Sequence, residues 1–419
     1  MKKRILQPLV MTLLLALGMI KPVVAESLSP ATYRTLEQVQ TAMTDGDWSG
    51  ADRVLQELIK DLNPGLGLAL SYQMQAQIAL AQERMTDAQQ SLENALGLGA
   101  LPADQQLNLS SHLAQIYLAN QEGARQEEAG PQTKKAESLL SKAIASAESQ
   151  ATAVPPSTFA LLAICLQLQQ RYGESIPWLN KAINTQAALQ KLPEENWLVI
   201  LASALYQTKS YNKAAQTLGQ LTTLKPNNEN YWLQRASMHQ LLEQPQQQLA
   251  VLELAYAGGY LTQESSLIAL AQLLIAQGVP ERAARLLQQW LADNDKNLTV
   301  SDSEANMKLL ATAWQLGRED DDAANVLSQA AIKTNDPQLA FYAMQLAVRR
   351  SDCVAAEGFL NQAQELGLES NKKGDGLLLV GGCAFDSGDK NTARRYFQQA
   401  LGVPGSAVAA QQWLAYLPE

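Results

Sequence analysis

The sequence predicts an all-α fold of stacked helix pairs, about ten of them, closed by a lone C-terminal helix. Three observations carry the prediction. Ala, Leu and Gln are abundant, Val and Ile sparse and aromatics only 6% of the chain, a composition that favours helix over sheet. Apolar and small residues recur at three-and-four spacing in short blocks, each long enough for one amphipathic helix. The blocks come in twos, parted by tight turns, and the pairs repeat at about 34 residues, an interval typical of a solenoid whose units bury their apolar faces against neighbours.

The stretch from Asn196 to Pro226 shows the unit most plainly. Leu198, Leu201, Ala202 and Leu205 mark one helical face, and Tyr211, Ala214, Leu218 and Leu221 mark a second; Lys225-Pro226 closes the unit. The small Ala202 and Ala214 suit the closest crossing of two helices, where a larger side chain would push the axes apart. This pattern resembles the tetratricopeptide repeat. Leu198 takes that repeat's Trp place, Ala202 its Gly place and Leu218 its Phe place. The resemblance implies a right-handed superhelical solenoid whose work is to hold other proteins.

The other units can be placed in order. Thr32–Pro64 forms the first pair about a turn at Asp45-Gly46-Asp47, with Ala51, Leu55 and Leu58 on its second helix. Leu68–Leu101 forms the second, through Tyr72, Ala76 and Ala79, then Ala88, Leu92 and Ala95. In the third, Leu107–Ala147, the two halves stand about ten residues too far apart for one repeat. The excess is a polar segment over 123–133, including Gly130-Pro131, whose composition predicts a mobile inserted loop. Pro155-Pro156 opens the fourth pair, and Pro177 is predicted in the first turn of its second helix, where a missing amide is tolerated.

Asn196–Pro226 is the fifth unit. The sixth begins at Trp232 and carries Ala236, Leu252 and Ala255; the seventh has Leu267, Leu270, Ala271 and Leu274, then Ala283 and Leu287. Past a polar loop from Asp293 to Ser303, the eighth has Leu310, Ala311 and Trp314, then Ala323, Leu327 and Ala330. The ninth starts at Pro337. The tenth carries Leu377, Val380, Gly381 and Ala384, then Ala393, Phe397 and Ala400. Ala407–Tyr416 is the covering helix, which a terminal pair needs because its neighbour face is apolar. The expected division is a leader at 1–25 and three blocks of repeats at 26–154, 155–292 and 293–419. Coiled-coil and four-helix readings fit less well, because the helices are short and broken by turns at regular intervals.

The leader reads as a signal peptide. Lys2, Lys3 and Arg4 form a basic end, Leu9 to Ile20 an apolar run, and Val23-Val24-Ala25 a small-residue cleavage site. The run is short for a bilayer span and no later stretch is apolar enough, so the expectation is an exported periplasmic protein, cleaved after Ala25 and not inserted in a membrane. The formal charge is −9 over 419 residues, and the leader is itself basic, so the rest is more acidic still. That balance argues against nucleic-acid or anionic-membrane partners, which require basic patches.

No catalytic constellation appears. The two histidines, His112 and His239, fall within predicted first helices and read as packing or groove residues. The sequence lacks an HExxH zinc motif, a phosphate loop, a GxSxG elbow and a GxGxxG fingerprint. Asp320-Asp321-Asp322 lacks the alternating ligands and closing Glu of a calcium loop and reads as a helix start. The expectation is therefore no enzyme, no cofactor and no metal. Among the cysteines, Cys165 sits in the apolar run LLAICL and reads as a buried small hydrophobe. Cys353 starts a second helix and Cys383 lies late in the next first helix. In an antiparallel stack those ends lie close, so a Cys353–Cys383 disulfide is expected in an oxidising compartment.

Repeat geometry carried over from the resemblance places inner-wall residues at Asn196, Val199, Ser203, Tyr206 and Gln207, and at Asn230, Leu233, Ser237, Gln240 and Leu241. Equivalent places further on fall at Lys308, Gln315, Phe341, Gln345 and Arg349. Amides mixed with apolar groups suit an extended peptide or a helix. The leader, the degenerate repeats and the closing GGCAFDSGDKNTARRYFQQAL segment are together similar to periplasmic repeat proteins that accompany TonB–ExbB–ExbD systems. That resemblance implies an accessory role in iron-siderophore uptake. The alternative is an adaptor in another envelope process, such as outer-membrane protein assembly or peptidoglycan synthesis.

Overall fold

The computed structural model describes residues 28–119, 126–292 and 300–417, the side chains of 126–129 excepted, and among them are 21 helices and no strand. The expected leader lies outside the described residues. Two compact units divide the chain, Met1–Leu224 and Lys225–Glu419. The first holds five pairs: α1 (Pro30–Thr44) with α2 (Trp48–Asp61), α3 (Leu66–Ala81) with α4 (Met85–Gly97), α5 (Ala103–Ala119) with α6 (Gln126–Ser149), α7 (Pro156–Leu168) with α8 (Tyr172–Ala188), and α9 (Glu195–Gln207) with α10 (Tyr211–Leu224).

The second unit also holds five. They are α11 (Glu229–Leu241) with α12 (Pro245–Ala257), α13 (Glu264–Ala276) with α14 (Pro280–Ala292), α15 (Glu304–Leu316) with α16 (Asp320–Thr334), α17 (Pro337–Arg349) with α18 (Cys353–Glu365), and α19 (Ser370–Asp386) with α20 (Lys390–Leu401). The lone α21 (Ala407–Tyr416) follows, with the bounds expected of the covering helix. The chain is an all-α repeat fold.

Nine of the ten pairs are folded by the same turn, that of the third pair lying outside the described residues. One residue at positive φ reverses the chain between the two helices: Gly46, Glu83, Gln170, Lys209, Glu243, Gly278, Arg318, Ser351 and Gly388. The next amide then reaches back to a carbonyl near the end of the first helix. Arg84 N donates to Ala79 O at 2.8 Å, Ser210 N to Leu205 O at 2.8 Å and Asp389 N to Ala384 O at 2.9 Å. This left-handed C-terminal cap satisfies carbonyls that the helix leaves open and starts the second helix back along the first.

Neighbouring pairs are tied at one repeat's distance. Ser328 Oγ donates to Gln362 Oε1 at 2.6 Å while Gln362 Nε2 donates to Ser328 O at 2.8 Å, a sequence separation of 34. Gln167 Nε2 bonds Ile200 O at 2.8 Å across 33 residues, and Trp290 Nε1 bonds Tyr256 Oη at 3.3 Å across 34. The buried interior lies between the layers of helices, with Leu36, Leu55, Leu92, Leu140 and Leu162 in the first unit and Trp290 and Phe397 in the second. The small residues at helix crossings, Ala114, Ala163, Ala236, Ala271 and Ala311, are all buried as well.

Cys353 and Cys383 are joined, with Cα atoms 5.6 Å apart, so the start of α18 is linked covalently to the end of α19. Two local expectations are corrected. The segment expected as a loop over 123–133 is helical from Gln126 onward. Gln, Glu and Ala favour helix there, buried Thr133, Ala136 and Leu140 hold it, and Pro131 forfeits one bond near the helix start. Pro177 stands in the second turn of α8, not the first, because the helix starts at Tyr172. The carbonyl it leaves open belongs to Gly173, which is exposed, so water can satisfy it.

Candidate partner-binding faces

In the first unit, α9 buries Leu198, Leu201, Ala202 and Leu205 and turns the opposite face to solvent. Asn196, Val199, Ser203, Tyr206 and Gln207 are all exposed, as their three-and-four spacing requires of residues sharing one side. The Tyr206 ring leans on Tyr211, with centroids 5.9 Å apart, which orients it without burying it. α7 lies beside α9 and ends in exposed Leu168. These side chains interleave amides, two hydroxyls and apolar groups, and none of them carries a charge.

In the second unit, Asn230, Ser237, Gln240 and Leu241 are exposed on α11, and Leu233 is half-buried. On α15, Lys308 and Gln315 are exposed, but the Lys308 ammonium is held by Glu304 one turn earlier. On α17, Gln345 and Arg349 are exposed, and Arg349 pairs with Asp320 at the start of α16. Phe341 corrects the expectation: it is 5% exposed, while Tyr342 beside it is 50% exposed. The reason is the glycine at 376 on α19. A Cβ there would stand 3.3 Å from Phe341 Cε2, so the bare backbone makes room for the ring to turn inward. The structure therefore brings Asn196 and Tyr206 onto one face, and engages Lys308 and Arg349 in their own ion pairs.

The sequence reading missed two exposed leucines, Leu168 and Leu316, which stand with Leu241 as the last residues of first helices. The signal was present. Gln-Leu closes α7, α11 and α15 alike, at 167–168, 240–241 and 315–316.

Glutamates at the starts of first helices stitch one repeat to the next. Glu229 on α11 is buried and accepts from Thr262 N at 3.2 Å, Thr262 Oγ1 at 2.9 Å and Gln263 N at 3.4 Å, just before α13. Glu264 on α13 accepts from Ser301 Oγ at 2.6 Å and Asn306 Nδ2 at 2.8 Å, near the start of α15. Burial works against the Glu229 anion, but its donors outweigh that and hold the carboxyl below its ordinary value. A depressed carboxyl adds stability above the unfolded-state pKa of about 4.3 and loses it as pH falls through the folded value. The second unit should thus lose stability as pH falls below about 4.3. Glu229→Gln should flatten that limb and lower stability at neutral pH, read by denaturant melts across pH.

Among the described residues no catalytic set is assembled around the titratable groups. Burial holds the His112 imidazole below its ordinary value, and His239 Nδ1 lies 3.0 Å from Gln244 Oε1 at the end of α11. Burial pushes the Cys165 thiol up to about 12, so it packs as an inert hydrophobe. Asp320, Asp321 and Asp322 begin α16, where carboxylates suit the amino end, and Asp321 pairs with Arg350. Among the described residues no group of three or more His, Cys, Asp or Glu is placed to hold a metal, and no helix is long and apolar enough to cross a membrane.

Comparison with known proteins gives the following. The tetratricopeptide repeat family model matches residues 266–299, which include most of α13 and all of α14. No curated protein matches the chain. Among solved structures, the chain is similar to a tetratricopeptide repeat protein from Parabacteroides merdae, at 13% identity and a TM-score of 0.31 over 62% of this chain and 97% of that one. It is similar to the C-terminal part of a repeat-containing protein from Cytophaga hutchinsonii, at 14% identity and a TM-score of 0.33 over 60% and 98%. It is also similar to PilF of Pseudomonas aeruginosa, at 16% identity and a TM-score of 0.27 over 53% and 97%. With its matched pair at 266–299 and the same two-helix plan on either side, the chain is an all-α repeat protein that carries a tetratricopeptide repeat, a module that generally mediates protein–protein interaction.

Proposed function

We propose that the chain is a non-enzymatic adaptor of the bacterial periplasm that holds an extended segment of an envelope protein and accompanies a TonB–ExbB–ExbD system in iron-siderophore uptake. The observation that carries the adaptor reading is the α9 face. Asn196, Ser203 and Gln207 offer neutral donors and acceptors beside exposed Val199 and Tyr206, the chemistry that matches a peptide backbone and its apolar side chains. Export rests on the leader ending at Ala25. The narrower assignment is supported by the likeness of the leader, the degenerate repeats and the Gly381–Leu401 segment, taken together, to periplasmic repeat proteins of those systems.

Three experiments test it. Tagged protein crosslinked in the periplasm should enrich TonB-system components, and a deletion strain should grow poorly when ferric siderophore is the sole iron source. Normal siderophore use would remove the TonB assignment. The paired substitutions Val199→Asp and Tyr206→Ala should weaken partner capture about tenfold or more while lowering the melting temperature by only a few degrees, since both side chains are partly exposed and lose little packing. Undiminished capture would remove the α9 face from the reading.

A further inference from the structure

We propose that α21 is a self-association element that pairs with α21 of a second copy, antiparallel about a two-fold axis through Gln412. The argument begins with charge. At −9, copies of this chain repel one another, yet residues 396–418 contain no Asp, Glu, Lys or Arg. This stretch therefore brings no charge of its own to a second copy.

The exposed face of α21 is also its own complement. Counted from Gln412, the positions four back, three back, three on and four on hold Val408, Ala409, Ala415 and Tyr416, which share one side of a helix. Val408 and Tyr416 are each 71% exposed, Gln412 and Ala415 are exposed, and Ala409 is half-buried. The opposite side is engaged by its own unit. Ala410 is buried, and Trp413 stacks on Phe397 with centroids 5.2 Å apart.

A two-fold through Gln412 sets Val408 against the partner's Tyr416 and Ala409 against the partner's Ala415. It sets the Gln412 amide against itself, and an amide both donates and accepts, so such a pair is satisfied. The alanines let the two axes approach as small residues at a helix crossing do. A shallow cavity of about 510 Å³ lined by Phe385, Gln412, Trp413 and Tyr416 opens beside the same face and leaves room for the incoming Val408 and Tyr416 to settle. One ten-residue helix per copy gives less than a standard interface, so the dimer is a micromolar one.

A two-fold makes a test that other occupants of the face would fail, because only then does residue 412 meet residue 412. Sedimentation equilibrium of the full chain from about 1 to about 300 µM should show a monomer–dimer equilibrium. Gln412→Glu and Gln412→Lys should each weaken dimerisation about tenfold or more, while an equimolar mixture of the two should restore it. Gln412 is exposed, so both variants should keep the wild-type melting temperature. A wild-type chain that stays monomeric throughout, a dimer indifferent to both substitutions, or a mixture no tighter than its components would each overturn the proposal. Failure here leaves the α9 reading untouched, since that face lies in the other unit.

Discussion

Phe397→Ala is expected to cost the second unit about 3–5 kcal/mol, among the largest losses from any single substitution in this chain. The ring is fully buried on α20 and stacks on Trp413 of α21 at 5.2 Å. Its other side faces the bare backbone of Gly381 so closely that a Cβ there would come within 2.7 Å of Phe397 Cε1. Neither side can collapse into the vacated space cheaply, because one is a helix backbone and the other is the ring that seats α21. In an array of repeats such damage stays near its source. Hydrogen exchange should quicken in α19, α20 and α21 while amides of α1 to α10 keep their protection.

The mirror-image substitution has the same cause. Gly381→Ala adds a methyl against a ring that Trp413 prevents from moving, and should destabilise by about 1–3 kcal/mol. Phe397→Leu placed in the Gly381→Ala background should cost less than the sum of the two singles, because the smaller side chain yields the contested space. Strict additivity would show that the contact does not decide the effect.

Removing the disulfide should cost about 2–4 kcal/mol, by reduction or by Cys353→Ser with Cys383→Ser. The bridge spans 30 residues and fastens α19, whose sequence is a poor helix. Gly374, Gly376, Gly381 and Gly382 lie inside it, and each is worth about 1 kcal/mol less than alanine in a helix interior. A Cβ at 374 would meet Ser406, at 376 Leu360, and at 381 Phe397. α19 thus gives up intrinsic helicity for close approach to its neighbours, and depends on those neighbours and the bridge to stay formed. Thermal melts with and without reductant should separate by about 5–15 °C in the transition of residues 225–419. Cys165 does not complicate the comparison, because it is buried and its thiol resists ionisation.

Much of this architecture was legible because a repeat states its rule many times. Leu198, Trp232 and Leu267 recur in step, and Ala114, Ala163, Ala202 and Ala271 recur with them, so errors at one pair are corrected by the next. Single events were harder to read. Of the residues at positive φ in the turns within pairs, Glu83, Gln170, Lys209, Glu243, Arg318 and Ser351 are not glycine, so turn chemistry alone would have missed those corners. The start of α6 was hidden because a Gly-Pro dipeptide reads locally as a break, while burial of Thr133 and Ala136 is a tertiary fact.

At the candidate faces the exposed side of α9 followed from spacing, since periodicity decides which way a helical residue points. What a neighbour does to that residue is not written at the same position. Phe341 turns inward because residue 376 is a glycine, and Lys308 and Arg349 are occupied because Glu304 and Asp320 stand within reach.

The bridge between α18 and α19 also sets how the chain answers a mechanical pull. Helix pairs that touch mainly their sequence neighbours peel apart one after another when the ends of a chain are drawn away from each other. Between Cys353 and Cys383 the covalent link carries the load, so roughly 100 Å of extensible contour, at about 3.4 Å per residue, is withheld from stretching until a reductant cuts it. Under tension α18 and most of α19 would be shielded from extension, while α20 and α21 would not.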